Sequence, residues 1–221
     1  MAGILFIISA PSGSGKSTLV NEVRRLVQGL EFSISYTTRQ PRGSEENGKE
    51  YWFTTKPEFE RMISAGEFLE YATVFGKNYY GTAMSALDDA RTHGHDLLLD
   101  IDVQGALQVM KKVPEAVSIF ILPPSPQILE KRLRNRSQAE GVTDEGVIEA
   151  RLSQARTELK HLSDYKYALV NDVLDQAASE MRAIVLKARG ENGETFVLAA
   201  SCETMAHSER LDAALASFGL G

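Results

Sequence analysis

The stretch Ala10-Pro11-Ser12-Gly13-Ser14-Gly15-Lys16-Ser17-Thr18 brings two glycines, a lysine and four hydroxyl side chains into nine consecutive positions. Gly13 and Gly15 let the backbone bend until several N–H groups point at one anion. Lys16 is placed to reach the β- and γ-phosphates of a nucleoside triphosphate, and the Ser17 hydroxyl to ligate Mg²⁺. The strict form of this pattern has glycine where the chain has Ala10. One methyl group is tolerated there provided the residue keeps a negative φ. Asp100 and Asp102 close an apolar run, Leu97-Leu98-Leu99-Asp100-Ile101-Asp102. An acid at such a strand end meets the nucleotide's Mg²⁺ directly or through water. Two basic clusters complete the set: Arg39 with Arg42, and Lys131, Arg132, Arg134 and Arg136. They suit small anionic ligands, although short charge runs are more commonly solvated faces.

These groups need elements to hold them. Ile4-Leu5-Phe6-Ile7-Ile8 has the character of a buried parallel strand, and after Lys16 the apolar spacing becomes helical through Leu19, Val23, Leu26 and Val27. Strand, glycine-rich turn and helix together give the nine-residue motif its mechanism. Phe32–Tyr36 alternates like a half-buried strand and runs into a Pro/Gly-marked loop with Asn47-Gly48 as a turn. Tyr51–Phe53 is predicted as a short strand, Thr55 and Glu58 as a capping box, and Phe68–Phe75 as a strand with a turn at Gly76. Thr82 is expected to cap a helix reaching about residue 93. Further strands are expected at 97–102, 117–122 and 167–170, with helices at 103–112, 126–136, 144–162 and 174–189. Residues 195–221 look like a strand and a weak helix, without an assigned role. This alternation predicts an α/β fold with a parallel sheet covered on both faces and ligands at the strands' carboxyl ends. The short strands from about 35 to 81 interrupt it as a separate substrate-binding subdomain.

The chain has 221 residues, 43% of them apolar and 24% charged, as in a soluble globular protein. Its net charge of −6 argues against a general nucleic-acid binder. No apolar run approaches the ~18 residues of a membrane span. Cys202 is the one cysteine, so no intrachain disulfide can form, which fits a reducing, cytoplasmic location. The N-terminus enters a core strand without a basic segment, so no secretory signal is expected. Oligomeric state is left open.

S-A-P-S-G-S-G-K-S-T, S-Y-T-T-R-Q-P-R, N-G-K-E-Y, N-Y-Y-G-T and L-D-I-D-V-Q-G, taken in order, resemble the guanylate kinase family over about Ile4 to Arg189. The resemblance implies a three-layer P-loop kinase fold: a central parallel sheet, an inserted mixed-β GMP-binding subdomain and a helical lid. In that frame the core is 1–34 and 95–190 with a lid at about 134–150, the GMP subdomain is 35–94, and 191–221 is an extension. The implied reaction is ATP-dependent phosphorylation of GMP, and of dGMP, with Mg²⁺. Residues 10–18 and Asn171 would bind ATP. Arg39, Arg42, Tyr51 and Tyr80 would hold the GMP phosphate. Ser35, Glu70 and Thr82 would read guanine, with Asp100 also on the GMP side. Two guanidinium forks and two phenols suit a dianionic phosphate. An ionised Glu70 accepts from guanine N1–H and the exocyclic amine, a pattern adenine lacks. Arg132, Arg136 and Arg151 correspond to the family's lid and ATP-side arginines and would join Lys16 in neutralising the transferring phosphoryl group. The segment between Arg136 and Arg151 is longer than the family's, which leaves the lid geometry open. Two rivals share the fold: a non-catalytic guanylate-kinase-like binding module, and a small-molecule kinase such as the ribose bisphosphate kinases. The intact Gly13, Gly15, Lys16 and Ser17 oppose the first; Arg39, Arg42, Glu70 and Tyr80 oppose the second.

Overall fold

The computed structural model describes residues 3–74, 77–139 and 144–220. Phe75 and Gly76 of the expected strand end and turn, and residues 140–143 of the expected lid, lie outside the described residues. The apolar run near the N-terminus forms β1 (Leu5–Ser9), buried throughout, and the glycine-rich turn leads into α1 (Lys16–Leu26). The chain divides into two compact units, Met1–Ile7 with Gly29–Ala116 and Ile8–Gln28 with Val117–Gly221, so that β1 contributes residues to both.

In the first unit β2 (Leu30–Phe32) is followed by β3 (Tyr36–Thr37), β4 (Trp52–Phe53), α2 (Lys56–Ser64), β5 (Phe68–Val74) and β6 (Asn78–Ala83). Then come α3 (Met84–Thr92), β7 (Asp96–Asp100) and α4 (Val103–Lys112). β2 runs parallel to β7, with Leu30 opposite Asp96, and the Asp96 carboxylate accepts the Ile4 N–H at 2.8 Å. The second unit holds α1, β8 (Val117–Leu122), α5 (Pro126–Ala139), α6 (Glu145–Leu159), β9 (Tyr167–Val170), α7 (Leu174–Ala188), α8 (Glu194–Ser201) and α9 (Glu209–Ser217). β8 and β9 are parallel. Among the described residues the strands form a five-stranded sheet, β2-β7-β1-β8-β9, and a four-stranded mixed sheet, β4-β3-β6-β5.

The mixed sheet is packed by rings. Phe59 and Met62 of α2 and Phe68 of β5 form a cluster joined by Tyr36, Ile63 and Tyr79, with the Phe59 and Phe68 ring centroids 4.3 Å apart. The Thr55 hydroxyl accepts the Glu58 N–H, as a capping residue should, but the Glu58 carboxylate binds Arg61 rather than closing the box.

Several expectations are corrected. The alternating run 32–36 is two strands in two sheets: Ser33 N–H still donates to Leu98 C=O, after which the chain leaves β7 and enters β3. Thr82 caps nothing; it lies in β6 opposite Glu70, and Ala83 occupies the N-cap of α3. β7 ends at Asp100, and Asp102 caps α4 by accepting the Gly105 N–H at 2.8 Å. In α1, Val20 is buried where Leu26 had been expected. The strand expected after residue 195 is helix α8. The helix packs on α7, with Ala199 buried while Val197 stays exposed.

Candidate active site

In the first unit, Ser35, Tyr51, Glu70, Tyr80, Asp100 and Asp102 line one cleft of about 190 Å³, together with Ala72 and Ile101. The mixed sheet brings the predicted guanine readers together: Glu70 and Thr82 are cross-strand partners, and the Thr82 hydroxyl donates to Glu70 Oε1 at 2.7 Å. Both side chains are buried. Burial raises the Glu70 carboxyl from 4.5 to about 7, opposed by the Thr82 hydrogen bond and reinforced by the negative charge of Asp102. Below α4's first turn there is room for this carboxylate because residue 105 is glycine: a Cβ there would stand 2.8 Å from Glu70 Oε2.

The predicted phosphate-binding group is assembled in part. Arg39 Nε donates to the Tyr80 hydroxyl at 3.1 Å, and the guanidinium lies 5.3 Å from the Tyr51 ring centroid. The Tyr51 and Tyr80 rings meet edge to face. Burial pushes the Tyr51 hydroxyl upward, which keeps it a neutral donor. Arg42 stands on the exposed loop and pairs with Glu45 through its backbone, its N–H donating to the Glu45 carboxylate at 2.8 Å and its carbonyl accepting the Glu45 N–H at 3.0 Å. Glu45 is the partner that sequence reading missed. Its two oxygens take Arg39 Nη1 and Nη2, each at 2.9 Å, in a fork that raises the arginine and lowers the carboxylate. Nothing in the polar loop 43–50 singles it out, since five of its eight residues are charged or amide side chains in no periodic pattern.

The second unit contains the glycine-rich turn. Gly13 and Gly15 have φ values of 91° and 81°, and Ser14 N–H donates to Pro11 C=O at 3.1 Å. Among the described residues the single non-glycine with positive φ is His207, so Ala10 keeps the backbone its methyl group requires. A side chain at Gly13 would press on Leu129 and Leu133 of α5, and one at Gly15 would stand 2.6 Å from the Asn171 amide. Asn171 Nδ2 donates to Ser14 C=O at 2.8 Å, and its own carbonyl accepts both terminal nitrogens of Arg132 at 3.1 Å. Arg136 reaches the Ser12 hydroxyl at 3.4 Å. Thus Asn171, Arg132 and Arg136 converge on the turn, whereas Arg151 bonds Ser137 Oγ at 2.9 Å on α5. The apolar contact of α5 with α6 through Leu129, Leu133 and Ala155 supports this arrangement. Lys16 is half-buried at the start of α1, and Ser17 and Thr18 are exposed beside it. The Ser14 hydroxyl is buried without a hydrogen-bond partner among the described residues.

A family model for guanylate kinase matches residues 3–188. The chain belongs to the guanylate kinase family. It is therefore a phosphotransferase of the nucleoside monophosphate kinase class. It is 56% identical over 197 residues to the guanylate kinase of Koribacter versatilis (strain Ellin345), an alignment covering 89% of this chain and 84% of the relative. It is 47% identical over 189 residues to that of Xylella fastidiosa (strain Temecula1), covering 86% and 90%. The crystal structure of guanylate kinase from Anaplasma phagocytophilum matches with a TM-score of 0.62 at 31% identity, covering 100% of this chain and 97% of that one. Among the described residues no helix is long and apolar enough to cross a membrane.

Proposed function

We propose that the chain transfers the γ-phosphoryl group of ATP to GMP or dGMP, forming ADP and the corresponding diphosphate. The observation carrying this reading is the cleft in which Glu70, held by Thr82, shares walls with Tyr51 and Tyr80, the latter bonded to Arg39. One end of that cleft suits a purine with adjacent N–H donors, and the other suits a phosphate dianion. Residues 35–94 are accordingly assigned as the GMP subdomain, 1–34 with 95–190 as the nucleotide core, and about 134–150 as the lid.

An oxygen of the GMP phosphate attacks the γ-phosphorus as the bond to the ADP oxygen breaks. That oxygen is already anionic, so no strong base is required. Positioning and charge neutralisation then carry the rate. Lys16 and backbone N–H groups within residues 10–18, other than Pro11, which has none, and Ser14, whose N–H is bonded to the Pro11 carbonyl, hold the ATP phosphates, and Arg132 and Arg136, both bonded to the turn, are assigned to the charge of the transferring group. Arg151 joins them through Ser137 on α5. Arg42 reaches the GMP phosphate from its loop.

The residues fit Mg²⁺. Among the described residues no cluster of three or more His, Cys, Asp or Glu side chains could hold a metal, whereas the Ser17 hydroxyl is exposed at the start of α1. An ion that keeps its waters and nucleotide phosphates needs few protein oxygens. Ser17 would supply one, with Asp100 or Asp102 acting through water. When bound, the ion would supply neutralisation of the nucleotide's phosphate charge. A reducing cytoplasmic setting suits Cys202, a buried thiol raised to about 12 by burial.

The test is ADP formation by purified protein with Mg-ATP, comparing GMP with AMP, CMP and UMP. Turnover with GMP alone is expected. Tight GMP binding with no turnover for any of the four would overturn the kinase reading in favour of a binding module.

A further inference from the structure

We propose that Gly105, in the first turn of α4, is a positioning residue for guanine selectivity: its missing side chain lets the Glu70 carboxylate sit where two guanine N–H groups can meet it. The inference rests on the guanine-reading role given to Glu70 above. A Cβ at residue 105 would lie 2.8 Å from Glu70 Oε2, 3.2 Å from Glu70 Cδ and 3.4 Å from Asp102 Oδ1. The first of these is closer than carbon and oxygen can stand, so a side chain here must displace something.

What gives way can be decided from the neighbours. The Gly105 backbone is fixed: it is buried in α4, and its N–H is bonded to the Asp102 cap at 2.8 Å. Gly105 lies outside the glycines with positive φ, so alanine is compatible with its helical backbone. Within a helix alanine is favoured over glycine. The contacting Glu70 atoms, by contrast, are the end of a side chain with rotatable bonds. Its other oxygen is tethered to Thr82 Oγ1 at 2.7 Å. A methyl at residue 105 therefore rotates Oε2 away while Oε1 stays near Thr82. The fold keeps its stability, and the cleft loses half of a two-oxygen acceptor.

This separates Gly105 from glycines that serve the chain's path. Gly81 in β6 would set a Cβ 2.9 Å from a backbone carbonyl, that of Glu70, and 3.0 Å from Phe59 and Phe68, so substitution there strains the sheet. At Gly105 the cost falls on recognition.

The experiment compares wild type, Gly105→Ala, Glu70→Gln and the double variant, using KM for GMP, KM for ATP, the kcat/KM ratio of GMP to IMP, and the thermal midpoint. IMP lacks the 2-amino group and so reports the second acceptor bond. Gly105→Ala is expected to keep or raise the midpoint, leave KM for ATP unchanged, and raise KM for GMP roughly tenfold to a hundredfold, the loss of one bond to a charged group. The GMP-to-IMP preference should fall by a similar factor. In the Glu70→Gln background the same substitution should change KM for GMP less than threefold, because Gly105 acts through that carboxylate. The proposal is overturned if Gly105→Ala leaves KM for GMP and the IMP ratio at wild-type values, or if its effect is undiminished beside Glu70→Gln. Should alanine lower the midpoint, Glu70→Asp with Gly105→Ala decides: the shorter acid clears the methyl, and failure to improve KM over Gly105→Ala alone also overturns it. Absence of GMP turnover in wild type would instead remove the kinase reading itself.

Discussion

Lowering the pH through neutrality should weaken GMP binding chiefly through one protein group. Glu70 is buried against Thr82, and burial is the main reason its carboxyl rises from 4.5 to about 7. Guanine offers two N–H donors to this group, and only the ionised carboxylate accepts both. At pH 8 roughly nine-tenths of the free protein carries Glu70 ionised, and at pH 6 roughly one-tenth, so apparent affinity falls roughly tenfold between them. The GMP phosphate, with its second ionisation near 6, adds about a factor of two. The assay is KM for GMP from pH 6 to 8 at saturating Mg-ATP, in wild type and Glu70→Gln. The glutamine variant should bind poorly at every pH and follow only the twofold change of the phosphate. Parallel profiles in the two proteins would refute the assignment of Glu70 as a titrating guanine acceptor. Stability supplies an independent arm. A folded-state value above 4.5 means that the stabilisation from the protonated acid is complete below about pH 4.5 and is lost as pH rises through about 7. Urea unfolding at pH 5 and pH 8 should therefore show wild type losing ground to Glu70→Gln by up to about 3 kcal/mol.

Two further outcomes are expected. Lys16→Ala should lower kcat by roughly a hundredfold to a thousandfold with the thermal midpoint little changed, since Lys16 sits half-buried on the turn and outside the core; near-normal turnover would remove its assigned role. Arg210→Ala should destabilise the protein by about 2–3 kcal/mol in urea, because Arg210 of α9 bonds both buried Glu180, at 2.6 Å, and the Val170 carbonyl at the end of β9; a loss below about 0.5 kcal/mol would show that α9 adds nothing there.

The core was legible wherever a pattern was uniform and served one tertiary purpose. Val117–Leu122 and Tyr167–Val170 are strands at the bounds their apolar runs suggested, and Val103–Lys112 is a helix at its expected ends. Legibility failed where one local pattern served two tertiary purposes. Phe32 to Tyr36 alternates without a break, yet Phe32 pairs with Leu98 in one sheet and Tyr36 with Gly81 in the other. Periodicity reports which residues share a face, not which sheet receives the face. The expected strand after residue 195 fails for the complementary reason: the segment packs as a helix on α7, with Ala199 buried while Phe196, Val197 and Leu198 stay exposed. Propensity yields to the partner available.

At the site, residue types were legible and pairings were not. Glu70, read alone, is an acid on a strand and most naturally a solvated one. Its meaning comes from register, because Thr82 stands directly across from it and donates to it. The same register removes Thr82 from the helix cap expected of it. Arg39 was marked by its charge and loop setting, but Glu45, six residues on, takes both ends of its guanidinium in a turn with no periodic signal. Gly105 is the extreme instance, since a glycine in a helix leaves no trace of purpose in sequence beyond a cost of about 1 kcal/mol relative to alanine. That cost is consistent with a side chain excluded by Glu70 Oε2, a reason that exists only once α4 lies against β5. Chemistry carried by an added functional group can be found in a sequence. Chemistry carried by an omitted one requires knowing what would otherwise collide.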